Sequence, residues 1–110
     1  VIALQEAVLD VRVDESVARY MLAIVQATRT HEHIQLGASP RAAHELFVAC
    51  QARALVSGRD FVTPDDVKGM AGLVLCHRLI LRSRNGDPVS ASRARTETMR
   101  EILARVPVPE

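Results

Sequence analysis

The stretch Val62-Thr63-Pro64-Asp65-Asp66-Val67 carries the strongest local structural signal in the sequence. Thr63 can act as a helix N-cap, and Pro64 already has the φ angle of a first helical residue. The two aspartates that follow suit the positive end of the helix dipole. Val62 and Val67 occupy the positions of a hydrophobic staple, which packs the incoming chain against the first helical turn. The stretch therefore predicts a helix that begins at Pro64.

Apolar residues recur on both sides of this start at the i, i+3, i+4, i+7 spacing of an amphipathic helix. The helix that begins at Pro64 continues this spacing through Val67, Met70, Ala71, Val74 and Leu75. An earlier helix begins at Ser39-Pro40, which again combines a capping residue with a proline, and Gly58 is placed to end it. Its apolar stripe consists of Ala43, Leu46, Phe47, Cys50 and Ala54. The middle of the chain therefore predicts two consecutive helices.

The two ends of the chain predict further helices. A helix from an N-cap at Asp14 to about Thr30 has one apolar stripe, which consists of Val17, Tyr20, Met21, Ile24, Val25 and Thr28. The first segment has the same spacing at Leu4, Ala7, Val8 and Val11. A last helix, from about Ala91, carries Met99, Ile102, Leu103 and Val106.

Residues 82–90 are polar and contain the turn-forming pairs Asn85-Gly86 and Asp87-Pro88, so we predict a mobile loop there. A short extended stretch before it, at Leu79-Ile80-Leu81, is the most that the sequence offers as a strand. The prediction is an all-α fold, a compact bundle of four to five helices in a single domain that spans residues 1–110.

The composition is that of an ordinary globular domain, with 48% apolar and 25% charged residues. A formal net charge of +1 creates no strong field toward nucleic acids or membrane surfaces. No apolar run approaches the roughly 20 residues that span a bilayer. Cys50 and Cys76 lie in apolar helical stretches, which favours buried free thiols over a disulfide. We therefore expect a cytoplasmic protein that does not contact membranes.

Two groups of residues could form a metal site or a catalytic site, but a structural role explains each of them better. The spacing of His31-Glu32-His33, even with His44 and Cys76-His77, matches no zinc pattern, so we expect no metal site and histidines that are solvated or cap helices. Cys50 could be a nucleophile, but its place in an apolar stripe favours a core position.

Three stretches resemble the C-terminal lid domain of MoxR-type AAA+ ATPases in order and spacing. They are Leu36-Gly37-Ala38-Ser39-Pro40-Arg41-Ala42, Gly58-Arg59-Asp60-Phe61-Val62-Thr63-Pro64-Asp65-Asp66-Val67 and Val74-Leu75-Cys76-His77-Arg78-Leu79. Ala27-Thr28-Arg29 and Val106-Pro107-Val108-Pro109 are similar as well. The resemblance implies an AAA+ lid fold, in a fragment of a longer chain whose P-loop ATPase domain would lie upstream.

The resemblance also implies a nucleotide-sensing role for Arg41, the sensor-2 arginine, with supporting residues Gly37, Ala38, Ser39 and Pro40. In this family that arginine reaches the phosphates of Mg-bound ATP, which the P-loop domain mainly holds. The first turn of a helix suits an anion, because free N–H groups and the dipole favour negative charge there. The alternative for Arg41 is a surface pair with Glu45 at i, i+4.

Arg29, Arg59 and Arg78 are candidate interdomain contacts. The alternative for Arg59 is an ion pair within its loop or a contact to helix carbonyls. Arg29 and Arg78 lie near predicted helix C-termini, where a cation is favoured without any partner domain.

By itself the sequence has no phosphate loop, so we expect no catalysis and no tightly bound cofactor in these 110 residues. The resemblance implies a parent ATP hydrolase with a chaperone-like role in the assembly or activation of protein complexes. It further implies a ring-forming homo-oligomer, a hexamer, and a partner with a von Willebrand factor A domain. The alternatives are a stand-alone helical nucleic-acid-binding module, suggested by the arginines of residues 82–105, or a protein-interaction module.

Overall fold

The computed structural model describes residues 2–32, 34–81 and 88–109. The helices within them are α1 (Ile2–Leu9), α2 (Glu15–Thr30), α3 (Pro40–Val56), α4 (Pro64–Leu75) and α5 (Pro88–Arg105). The predicted all-α bundle of four to five helices is confirmed. Within these same residues, no helix combines the length and the apolar character needed to cross a bilayer.

The predicted N-caps are present at Asp14, Ser39 and Thr63. The Oγ of Ser39 accepts a hydrogen bond from the backbone N–H of Ala42 at 3.2 Å. Gly58, with a φ of 83°, follows α3 in the left-handed conformation that glycine adopts without strain. Local chemistry therefore starts and stops the central helices where the sequence predicts.

The core is built around α2 and α3, which both pack against α4. All six residues of the predicted α2 stripe are buried. The buried face of α3 is shifted from the prediction and consists of Ala42, Leu46, Cys50, Gln51 and Ala54. Ala43 and Phe47 are only partly buried. Gln51 can replace an apolar residue because its Nε2 donates to the carbonyl of Val11 at 2.9 Å.

A short antiparallel strand pair, β1 (Ile34–Leu36) and β2 (Ile80–Leu81), lies beside the helices. Ile34 is paired with Leu81, and Leu36 with Ile80, with an irregularity between them. A 3₁₀ turn, Cys76–Arg78, leads from α4 toward β2. The sequence did not predict this pair because strands of two and three residues are too short to show an alternating pattern.

The predicted loop over residues 82–90 is too long at its C-terminal end. Helix α5 begins at Pro88 rather than near Ala91. Proline is well suited to a first helical position, since its fixed φ is helical and its missing N–H has no partner to lose. Residues 82–87 lie outside the described part of the chain, so the mobility predicted for them stays a prediction.

The N-terminus of α4 is held by a buried carboxylate. Asp66 is 1% exposed and accepts two hydrogen bonds from Arg59, at 2.6 and 2.8 Å. It also accepts the backbone N–H of Thr63 at 2.8 Å, which completes a capping box. Hydrogen bonds from Arg59 hold the pKa of Asp66 below its ordinary value. Asp66 is therefore both a helix cap and the acceptor that fixes the preceding loop.

A close backbone approach joins the end of α2 to the start of α3. A Cβ on Gly37 would lie 2.5 Å from the carbonyl oxygen of Thr28, so only glycine fits. The contact brings the N–H of Ala38 within 3.0 Å of the Thr28 hydroxyl, and Arg29 donates from Nε to the Ala38 carbonyl at 2.9 Å. These contacts fix the backbone immediately before Ser39, and hence the direction in which α3 begins.

We expect Asp66→Asn to lower the free energy of unfolding by about 1.5–3 kcal/mol, because it removes charge-assisted hydrogen bonds from a buried site. Since the pKa of Asp66 is lowered in the folded state, its contribution is fully present above the ordinary aspartate pKa of about 3.9 and is lost as pH falls through the depressed value. Urea unfolding at a series of pH values should show wild type and variant converging in acid.

The matched control for this experiment is Asp60→Asn. Asp60 also faces an arginine, Arg12, at 3.8 Å, but both side chains are largely exposed. Exposed pairs contribute little, so its unfolding should stay close to wild type at every pH. Equal losses in the two variants would contradict the role assigned to Asp66.

A second prediction concerns the α2–α3 junction. Gly37→Ala should lower the free energy of unfolding by about 1–3 kcal/mol, because the new methyl group overlaps the backbone of Thr28. Gly72→Ala is the control, because a Cβ there meets nothing within 4 Å and alanine favours the α4 helix by about 0.5–1 kcal/mol. Urea unfolding measures the free energy of unfolding of both variants. A Gly37→Ala protein as stable as wild type would refute the close approach.

Candidate functional site

Arg41 lies in the first turn of α3, directly after the capped start at Ser39 and Pro40. Its side chain is 88% exposed. The Nε of Arg41 lies 3.7 Å from Oε1 of Glu45, longer than the 2.7–2.9 Å of a charge-assisted hydrogen bond. The predicted surface pair is thus present but loose, which leaves the guanidinium accessible to an anion.

The backbone at this helix start offers less to an anion than the sequence suggests. Pro40 has no N–H, and those of Ala42 and Ala43 are bonded to Oγ and the carbonyl of Ser39. Among the first four residues of α3, only the N–H of Arg41 is left for an external acceptor. The positive charge at this site therefore comes chiefly from the Arg41 side chain.

Glu45 connects Arg41 to a second arginine. Its Oε2 accepts a hydrogen bond from Nη2 of Arg78, which follows α4 in the 3₁₀ turn. Arg78 is itself anchored, because its Nε donates to the carbonyl of Val74 at 3.2 Å. The structure thus brings together two of the predicted site residues, Arg41 and Arg78, through a carboxylate that the sequence indicates only as a surface partner of Arg41.

The other two arginines bind within the domain. Arg29 donates to the Ala38 carbonyl, and Arg59 binds Asp66 in the first turn of α4 rather than an acid within its own loop. Intradomain partners therefore account for Arg29, Arg59 and Arg78 as they stand. Their predicted contacts to another domain remain predictions.

His31 is the C-cap of α2, one of the two roles expected for the histidines, and its backbone N–H donates to the carbonyl of Ala27. Its side chain is buried rather than solvated, and its Nε2 lies 3.0 Å from Oε2 of Glu101, so it ties the end of α2 to α5. The partner is far away in sequence, so no local pattern could have indicated it.

Among the described residues, no three His, Cys, Asp or Glu side chains are grouped to hold a metal. His33 and the side chain of His77 lie outside that description.

Cys50 is a core residue, as its stripe predicts. It is fully buried, and burial raises the pKa of its thiol to about 12. A thiol with so high a pKa supplies almost no thiolate near neutral pH. Burial and the raised pKa therefore favour a structural role for Cys50 over that of a nucleophile.

An open groove of about 490 Å³ lies between α4 and α5. Its lining is mainly apolar and includes Leu73, Met99 and Leu103, while its arginine, Arg100, is paired with Glu97 at 2.8 Å. None of the predicted site residues lines this groove. A phosphate contact is therefore better served by the exposed guanidinium at the start of α3.

Comparison with known proteins identifies relatives of this domain. A family model described as "AAA lid domain" matches residues 26–102. The chain is 42% identical to the uncharacterized protein YeaC of Bacillus subtilis over 108 residues, which cover 98% of this chain and 33% of that protein. It is 38% identical to the chaperone MoxR1 of Mycobacterium tuberculosis over 87 residues, which cover 71% of this chain and 23% of that protein.

The fold also has a solved counterpart. A crystal structure of a "putative ATPase" from Cytophaga hutchinsonii superimposes with a TM-score of 0.80 and 28% identity, covering 96% of this chain and 34% of the other. This chain thus spans about a third or less of the length of each of these proteins. The family match covers most of the chain, from the end of α2 into α5, and includes Arg41. The chain belongs to the AAA lid domain family and is a lid of the MoxR type.

Proposed function

We propose that this lid responds to nucleotide through Arg41, acting as the sensor-2 arginine toward ATP held by a P-loop domain of the same protein. The observation that carries the proposal is an exposed guanidinium on a firmly anchored helix start. Gly37, Ala38 and Ser39 determine the position of the backbone, while the long side chain remains free to reach a phosphate. In this proposal Arg59 stabilises the lid itself, through its hydrogen bonds to Asp66.

The physical basis is a difference in binding between two nucleotide states. A guanidinium–phosphate contact is a charge-assisted hydrogen bond, worth about 1.5–3 kcal/mol. If Arg41 contacts the terminal phosphate of ATP, that contact is lost when the phosphate leaves, and the preferred angle of the lid changes with it. The P-loop domain supplies the magnesium site and the attacking water, because a lone arginine does not catalyse phosphoryl transfer.

The proposal for the parent protein is an ATP hydrolase that acts as a chaperone in the assembly or activation of protein complexes. The relative from Mycobacterium tuberculosis is named a chaperone, which supports this extension. A hexameric ring and a partner with a von Willebrand factor A domain follow from the family resemblance. The described cysteines, Cys50 and Cys76, are free and buried, which fits a reducing cytoplasm.

In the full-length protein, Arg41→Ala should lower the rate of ATP turnover by about tenfold or more, the loss expected for one charge-assisted contact made in the transition state. Steady-state phosphate release measures the rate, and circular dichroism checks that the fold is intact. Arg19→Ala is the matched control, since Arg19 is an exposed arginine that pairs with Glu15 at i, i+4 on α2. Equal turnover in the Arg41 and Arg19 variants would refute the sensor role.

A further inference from the structure

The Arg41–Glu45–Arg78 cluster suggests how the sensor is regulated. We propose that Glu45 is a positioning residue that competes with ATP for Arg41, and that Arg78 limits this competition by drawing the carboxylate toward itself. The inference rests on the proposed function of Arg41. It adds that the contact between Arg41 and Glu45 in the absence of ATP can be made stronger or weaker. Arg78, in the 3₁₀ turn after α4, weakens it by binding the same carboxylate.

The geometry shows an unequal sharing of one carboxylate. Oε2 of Glu45 is committed to a direct hydrogen bond with Arg78, whereas Oε1 lies 3.7 Å from Arg41. The exposed fractions follow the same order, at 43% for the Arg78 side chain and 88% for that of Arg41. Glu45 therefore holds Arg41 near the start of α3 without engaging it fully.

Opposite substitutions in this cluster should have opposite effects on nucleotide binding. Neutralising Glu45 removes the competitor, so a larger fraction of Arg41 side chains is free to meet a phosphate, and apparent affinity rises with that fraction. Neutralising Arg78 releases the carboxylate from its stronger partner. Glu45 then turns to the remaining cation, Arg41, and the affinity for ATP falls.

A purely structural role predicts a different pattern. The Glu45–Arg78 contact links α3 to the 3₁₀ turn after α4, and either substitution breaks it. A bridge that only stabilised the lid would therefore lower stability in both variants and shift nucleotide affinity, if at all, in the same direction. The sign of the affinity change distinguishes the two roles.

The test uses the full-length protein and a fluorescent, slowly hydrolysed ATP analogue with Mg²⁺. We expect Glu45→Gln to tighten binding about two-fold and Arg78→Gln to weaken it about two-fold, the size typical of exposed i, i+4 pairs. Binding of ADP should change less, because the competing contact is with the terminal phosphate. Glu15→Gln, which breaks the Arg19 pair on α2, is the control and should leave both affinities unchanged.

The same two substitutions are then made in an Arg41→Ala background, where both effects should vanish. Shifts of the same sign in the single variants, or shifts that persist without Arg41, would overturn the role of Glu45 and leave the sensor proposal standing. An Arg41→Ala protein that binds the analogue as tightly as wild type would overturn the sensor proposal, and this inference with it.

Discussion

The buried carboxylate of Asp66 is the interaction on which the central part of the lid depends. It caps α4, binds Arg59 through both oxygens, and lies 3.5 Å from Arg53 of α3. The loop fixed in this way, residues 58–62, also pairs with the segment before α2, through hydrogen bonds of Arg12 to Asp60 and Val62. One charged group thus connects α3, α4 and the loop between them, and a buried charge of this kind is tolerated only because its oxygens are so fully bonded.

Glycine at position 69 belongs to the same arrangement. A Cβ there would overlap the guanidinium of Arg53, which donates to the carbonyl of Asp65 at 3.3 Å. Because the overlap is with the flexible end of the arginine, a larger residue at position 69 would displace this guanidinium rather than the backbone. The start of α4 therefore contacts two arginines, Arg53 of α3 and Arg59 of the preceding loop.

A second constraint, at the α2–α3 junction, concerns function more directly. The sensor role proposed for Arg41 requires a backbone that is held in place and a side chain that can reach the phosphate. The close approach of Gly37 to Thr28 provides the fixed part, and the exposure of Arg41 provides the free part. Arg29 reinforces this junction by donating to the carbonyl of Ala38.

The sequence by itself determined which segments are helical and where α2, α3 and α4 begin, because caps, prolines and helical spacing act over a few neighbouring residues. It also identified Arg41 as the sensor candidate through the resemblance of its surroundings. Only the tertiary structure decided the partners of charged and polar groups: Asp66 with Arg53, Glu45 with Arg78, His31 with Glu101, and Gln51 with Val11. Each of these contacts joins residues that are distant in the chain, and which distant residues meet depends on how the helices pack, which no local pattern encodes.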